Sequence, residues 1–157
     1  MKISGINPET GEQFQTEAEG VNSDFIDQMS EFEMSEAGIK KLIDNLEISA
    51  DAKSILHRIS TVTIRAGTFI LKVGRKIIDY VCSVLKNFPS ASFGMVFGAI
   101  IGVLISSIPI IGVVLGPVAT PILIALGLIK GLREDIKDLN LARKITEINA
   151  KFSALNT

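Results

Sequence analysis

From Asn87 to Ile129 the chain carries no Asp, Glu, Lys or Arg in 43 residues. Folded domains need polar surface over most of their outer face, so an uncharged run of this length must be buried in protein or placed in lipid. The run is about twice the roughly 20 residues that one helical crossing of a bilayer needs. Between Ala91 and Ile108, nine residues of the Phe, Val, Ile and Leu set contribute about −3 to −5 kcal/mol toward insertion. Ile110 to Leu128 holds eleven more. The run therefore predicts a hydrophobic, transmembrane helical hairpin over residues 89–129.

Three glycines, Gly94, Gly98 and Gly102, stand four apart, one per helical turn on one face. Backbones approach closely over such a stripe, so it predicts helix packing and self-association. Gly112 and Gly116 repeat the spacing once, as do Gly127 and Gly131. Ser106, Ser107 and Pro109 form the expected turn, because proline lacks a donor and pushes Ile108 out of helical geometry. Pro117 and Pro121 predict a second interruption, either a broken or re-entrant helix or an ordinary kink.

The remaining charge is unevenly divided. Met1–Ala50 holds eleven acidic and three basic residues. Within it, residues 1–22 read as a flexible acidic arm with little apolar area, whose removal is expected to leave the helical core folded. Residues 23–50 read as short acidic helices. The first carries Phe25, Ile26, Met29 and Phe32; the second starts at a Ser35 cap and carries Ile39, Leu42, Ile43 and Leu46.

Asp51–Phe88 reverses the balance, with seven basic and two acidic residues. Its apolar steps of three and four predict a basic amphipathic helix over 51–88, capped by Ser49 or Asp51 and stopped by Pro89. Gly67 and Gly74 are its candidate breaks or close-packing points. Thr61 to Ile64 alternates as a strand does, but no partner strand is evident. Arg58, Arg65, Lys72, Arg75, Lys76 and Lys86, with Lys130 and Arg133 beyond the run, are the candidate contacts to an anionic membrane surface. Alternatively, the acidic N-terminal zone covers this basic zone within the same chain. Residues 130–157 complete the pattern as a C-terminal amphipathic helix.

The fold class expected from these zones is all-α, with amphipathic helices flanking the hydrophobic hairpin. Two amphipathic segments around an uncharged hairpin resemble the pore-forming domains of colicins over Asp51–Thr157, in pattern and without shared motifs. That resemblance implies a helical domain able to permeabilise a bilayer.

Catalysis finds no foothold. His57 is the only histidine and Cys82 the only cysteine, too few for a zinc site by themselves. The glycine stripe is no phosphate loop, since no Lys-Ser or Lys-Thr follows it. No cofactor, nucleic-acid partner or small-molecule substrate is expected. Cys82 is a candidate acylation site or a buried packing thiol.

The leading expectation is an integral membrane protein that self-associates through its glycines to form or shape an assembly, a pore among the possibilities. Its partners are then the bilayer, anionic lipids and further copies of itself. No cleavable signal is evident. Basic residues on both sides of the run place both termini in the cytoplasm. The alternatives are a helical bundle that buries the hairpin and inserts on a trigger, or a non-conducting structural membrane subunit.

Overall fold

The uncharged run folds as two helices. In the computed structural model, which describes residues 1–125 and 138–156, α5 spans Phe93–Ser107 and α6 spans Pro109–Ala125. Ser92 caps α5 by accepting from the Met95 N–H. Ile108 is extended, with φ −116° and ψ 108°, and Pro109 takes the first helical position of α6, where its missing N–H costs nothing.

At about 1.5 Å per residue, α5 reaches roughly 22 Å, short of the roughly 30 Å hydrocarbon core, and α6 reaches roughly 26 Å over its described residues. Among the described residues no helix is long and apolar enough to cross a membrane. This overturns the transmembrane expectation, and with it the integral location, the cytoplasmic topology, the inserted pore or assembly and the structural membrane subunit. The physical reason is the break at Ile108–Pro109, which divides the run into two lengths that other elements of the same chain can cover.

The cover begins where a flexible arm was expected. Strand β1, Lys2–Ile6, pairs antiparallel with β2, Gln13–Glu17. Their connection is tightened by the Asn7 side chain, which accepts from the N–H groups of Glu9 and Thr10, and by Gly11 at φ 74°. Ile3 is fully buried. Gly5 lies against α6 so closely that a Cβ there would overlap Val114 Cγ1.

The single helix expected over 51–88 is also corrected. It divides into α3, Ala50–Ser60, strands β3, Ile64–Ala66, and β4, Phe69–Leu71, and α4, Val73–Asn87. The sheet order is β2-β1-β3-β4, all antiparallel, with Ile3 opposite Ala66 and Ile64 opposite Leu71. Gly67, at φ 59°, makes the tight turn between β3 and β4. The fold is therefore mostly helical with a small sheet, and all-α describes it only in part.

Helices α1, Ser23–Met29, and α2, Glu36–Asp44, stand close to their expected places. Ser35 caps α2 through the Gly38 N–H, and Ser49 caps α3 through the Ala52 N–H. Helix α7, Leu139–Lys151, leads into a 3-10 turn at Ser153–Leu155.

Helix α6 is central. It packs on α3, α5, β1 and β2, burying Ile110, Ile111, Val114, Leu115, Val118, Ala119 and Ile122. It continues unbroken through Pro117 and Pro121.

Candidate functional site

Among the described residues two charged side chains lie in the interior, Lys76 at 5% exposure and Asp79 at 2%. Burying a charge is costly unless hydrogen bonds replace its water. Both belong to α4, one turn apart, on the face that meets the segment between α1 and α2. The Asp79 carboxylate accepts from the N–H of Glu33 at 3.1 Å and of Met34 at 2.9 Å. The Lys76 ammonium donates to the carbonyl of Glu31. Arg75 Nη2 donates to the carbonyl of Met34 at 3.0 Å.

Phe32 fills the centre of this contact. The Arg75 guanidinium sits 3.9 Å from its ring centroid and Lys76 Nζ lies 5.5 Å away. Behind it, Tyr80 faces Lys76 Nζ at 4.6 Å and Lys151 Nζ at 5.3 Å, and packs edge-on against buried Phe152. Cation–π contacts are each worth about 0.5–1 kcal/mol at exposed sites and about 2 kcal/mol where the cation is desolvated. The result is a latch: three charged residues of one helix hold the backbone of Glu31–Met34, more than forty residues upstream.

The electrostatics follow from burial. Desolvation lowers the Lys76 pKa; Asp79 opposes that fall and Lys151 adds to it. Burial raises Tyr80. Burial, reinforced by the Asp79 charge, pushes the Cys82 thiol up to about 12. Cys82 is 8% exposed and sits in the core as a packing thiol.

The candidate basic residues fall on different elements and in different environments. Arg58 is exposed on α3, Arg65 is exposed on β3, and Lys86 is exposed at the end of α4. Lys72 and Arg75 both stand 3.6 Å from Glu36 Oε1. Lys76 is buried in the latch. Lys130 and Arg133 lie outside the described residues, as do Gly127 and Gly131. The acidic zone does cover part of the basic zone, at Lys72, Arg75 and Lys76, and it does so largely through backbone carbonyls and Phe32.

The glycines separate too. Gly98 is buried, while Gly94 and Gly102 are partly buried. A Cβ on Gly102 would meet nothing within 4 Å. On α6, a Cβ on Gly112 would stand 2.9 Å from the Ile105 carbonyl oxygen and one on Gly116 would stand 3.8 Å from Ile105 Cγ2. These two glycines serve the α5–α6 contact within the chain. Ser106 and Ser107 end α5 by donating back to Gly102 and Val103 carbonyls. Thr120, beside Pro121, donates to the Gly116 carbonyl at 2.7 Å.

Phe32, expected in the apolar rhythm of the first acidic helix, lies beyond the end of α1, and Asp79 was not among the expected site residues. An Asp flanked by Ile77, Ile78 and Val81 was the available signal. His57 pairs with Asp44, Nε2 to Oδ1 at 2.9 Å. Among the described residues no group of three or more His, Cys, Asp or Glu side chains is placed to hold a metal ion.

Compared with known proteins, the chain matches no family model, no curated protein and no solved structure. The likeness to colicin pore-forming domains stays one of pattern.

Proposed function

We propose that this protein keeps α5 and α6 as a covered apolar pair and releases it to a bilayer on a trigger. One observation carries the reading. Among the described residues, Ser106, Ser107, Pro109, Thr120, Pro121 and Ile124 are the exposed positions of the pair, and none is charged. A helix that stays permanently in a water-soluble fold ordinarily sets charged residues on its outer face. Here even the outer face is compatible with lipid.

The cover fits the same reading. It includes β1 against Val114, α3, α4 with the segment that the latch fastens to it, and α7 against α5. Removing that cover separates elements without breaking the hydrogen bonds inside α5 or α6. The candidate partner is an anionic bilayer, approached by the exposed cations Arg58, Arg65 and Lys86.

The chain has no Trp, so Phe97→Trp introduces a unique fluorescent reporter on α5. Vesicles of phosphatidylcholine and phosphatidylglycerol with brominated acyl chains quench a Trp that enters the hydrocarbon. Quenching should be weak in the latched protein and strong when Asp79→Ala is added. Equal absence of quenching in both, with the Asp79→Ala latch demonstrably open by hydrogen exchange at Glu33 and Met34, would refute the release.

A further inference from the structure

The ladder between β1 and β3 stops early. Strand β1 pairs with β2 over five residues but with β3 over two, Ile3 opposite Ala66 and Ser4 opposite Arg65. In an antiparallel pair the mutually bonded positions alternate. The Gly67 N–H donates to the Lys2 carbonyl, so Lys2, Ser4 and Ile6 turn their main-chain groups toward β3, and the partners in this series are Gly67, Arg65 and Thr63. The last pair, Ile6 with Thr63, is not made. Thr63 lies outside β3, and the two segments part there.

The parting opens a cleft of about 630 Å³, with residues 4–6 on one side and 61–63 on the other. That volume falls within the roughly 300–1,000 Å³ of ordinary ligand sites. Val114 of α6 lines it, and so do Ile6 and Ile70, which are 60% and 59% exposed. Arg65 is the one charged residue among those lining it, and among the described residues Arg65 forms no ion pair. Its neighbours Ile64 and Ala66 are buried, which puts the Arg65 side chain on the outer face of the sheet.

We infer that this cleft is a docking site for an extended peptide segment that carries an acidic side chain. Main-chain N–H and C=O groups need partners, and an unpaired stretch of strand is a template for another strand. Ile6 presents one N–H and one C=O to the gap, and a strand laid beside it answers both. An extended segment suits the walls as well, because its side chains alternate between two faces. One face sends apolar groups toward Val114, and the other sends a carboxylate toward Arg65. No Asp or Glu among the lining residues repels that carboxylate. A small anion would use Arg65 alone, and an acyl chain would leave the main-chain groups of Ile6 unanswered. Docking here needs no release of α5 and α6.

The test uses the full, isotope-labelled chain and a heptapeptide with blocked ends, in which valines alternate with threonines around a central aspartate. The peptide should shift the amides of Ser4, Ile6 and Thr63 saturably, with an affinity of about 1 mM or tighter, and slow hydrogen exchange at Ile6. Methylating every peptide nitrogen keeps the side chains and the charge but removes the main-chain donors, and should weaken binding about tenfold or more. Arg65→Gln should weaken it about threefold. Asparagine in place of the peptide's aspartate should weaken binding to the wild type but not to Arg65→Gln, as a direct pairing of the two charges requires. No saturable shift in the wild type, or equal binding of the methylated peptide, overturns the site. Two further results also overturn it. Decanoate that moves these amides where the peptide does not assigns the cleft to an acyl chain, and Ile6 protection that grows with protein concentration alone assigns it to a second copy. None of these outcomes alters the Trp quenching that tests the release of α5 and α6.

Discussion

The carboxylate of Asp79 accepts a 2.9 Å hydrogen bond from the backbone N–H of Met34, and this one bond spans 45 residues of chain. It makes the acidic N-terminal half and the basic α4 a single object. Asp79→Ala leaves two N–H groups without an acceptor and Lys76 without its nearest compensating charge. The expected loss is about 3–5 kcal/mol, the cost of breaking a buried charged contact from one side. Asp79→Asn keeps one acceptor oxygen and should lose less. Urea unfolding of both variants measures this, and a loss below that of an average surface substitution would remove the latch from the account.

The glycines make opposed predictions. A Cβ on Gly74 would overlap the Ile59 carbonyl oxygen, a backbone atom that cannot swing aside. Gly74→Ala should therefore cost about 2–3 kcal/mol or more by overpacking. Gly102 faces open space in mid-helix, so Gly102→Ala should stabilise by about 0.5–1 kcal/mol through helix propensity. Thermal unfolding of the two variants reads both signs. A destabilising Gly102→Ala would mean that some partner covers that face.

Alkaline pH separates three groups of α4 by sign. Cys82 titrates at about 12 in the folded chain against 9.0 ordinarily, so between those values the unfolded chain gives up the proton first. Stability then falls as pH rises through that window, by roughly 1 kcal/mol per pH unit. Tyr80, also raised, acts in the same direction above pH 10. Lys76, lowered, acts oppositely: below 10.5 the folded chain sheds its proton first, and stability gains as pH rises toward that value. Cys82→Ala should flatten the fall above pH 9 in the urea midpoint. Parallel curves for wild type and variant would show that the thiol is not in the core.

Strand β1 carries a test of the corrected N-terminus. Ile3 is fully buried, so Ile3→Ala should cost about 2–5 kcal/mol. Deleting residues 1–20 should likewise lower the unfolding midpoint sharply, where a flexible arm would leave it unchanged.

Much of the helical part was legible in the sequence because local chemistry determines it. Ser35 and Ser49 cap where a short polar acceptor precedes an amphipathic run, and Pro109 starts a helix where a proline can. The sheet was illegible because its evidence is non-local. Ile64 alternates with its neighbours as a strand residue does, but its partners are Leu71 across a glycine turn and, through Ala66, Ile3 at the far N-terminus. Ile59, Ala66, Val73 and Ile77 are all buried, so their spacing imitates one helical stripe although a turn and two strands intervene. Asp79 was missed because a buried carboxylate is betrayed by what donates to it, and Glu33 and Met34 reach it only after the chain has folded.

The contact between Gly5 and Val114 offers the most direct measurement of whether α5 and α6 must shed their cover. The crowding there brings the two Cβ positions into the range of about 3.5–4.5 Å that a disulfide needs. Gly5→Cys with Val114→Cys, in a Cys82→Ala, Asp79→Ala and Phe97→Trp background, ties β1 to α6 when oxidised. Quenching of the Trp by brominated anionic vesicles should be low in the oxidised protein and rise several-fold on reduction. Equal quenching in the oxidised and reduced protein would contradict the release of a covered pair.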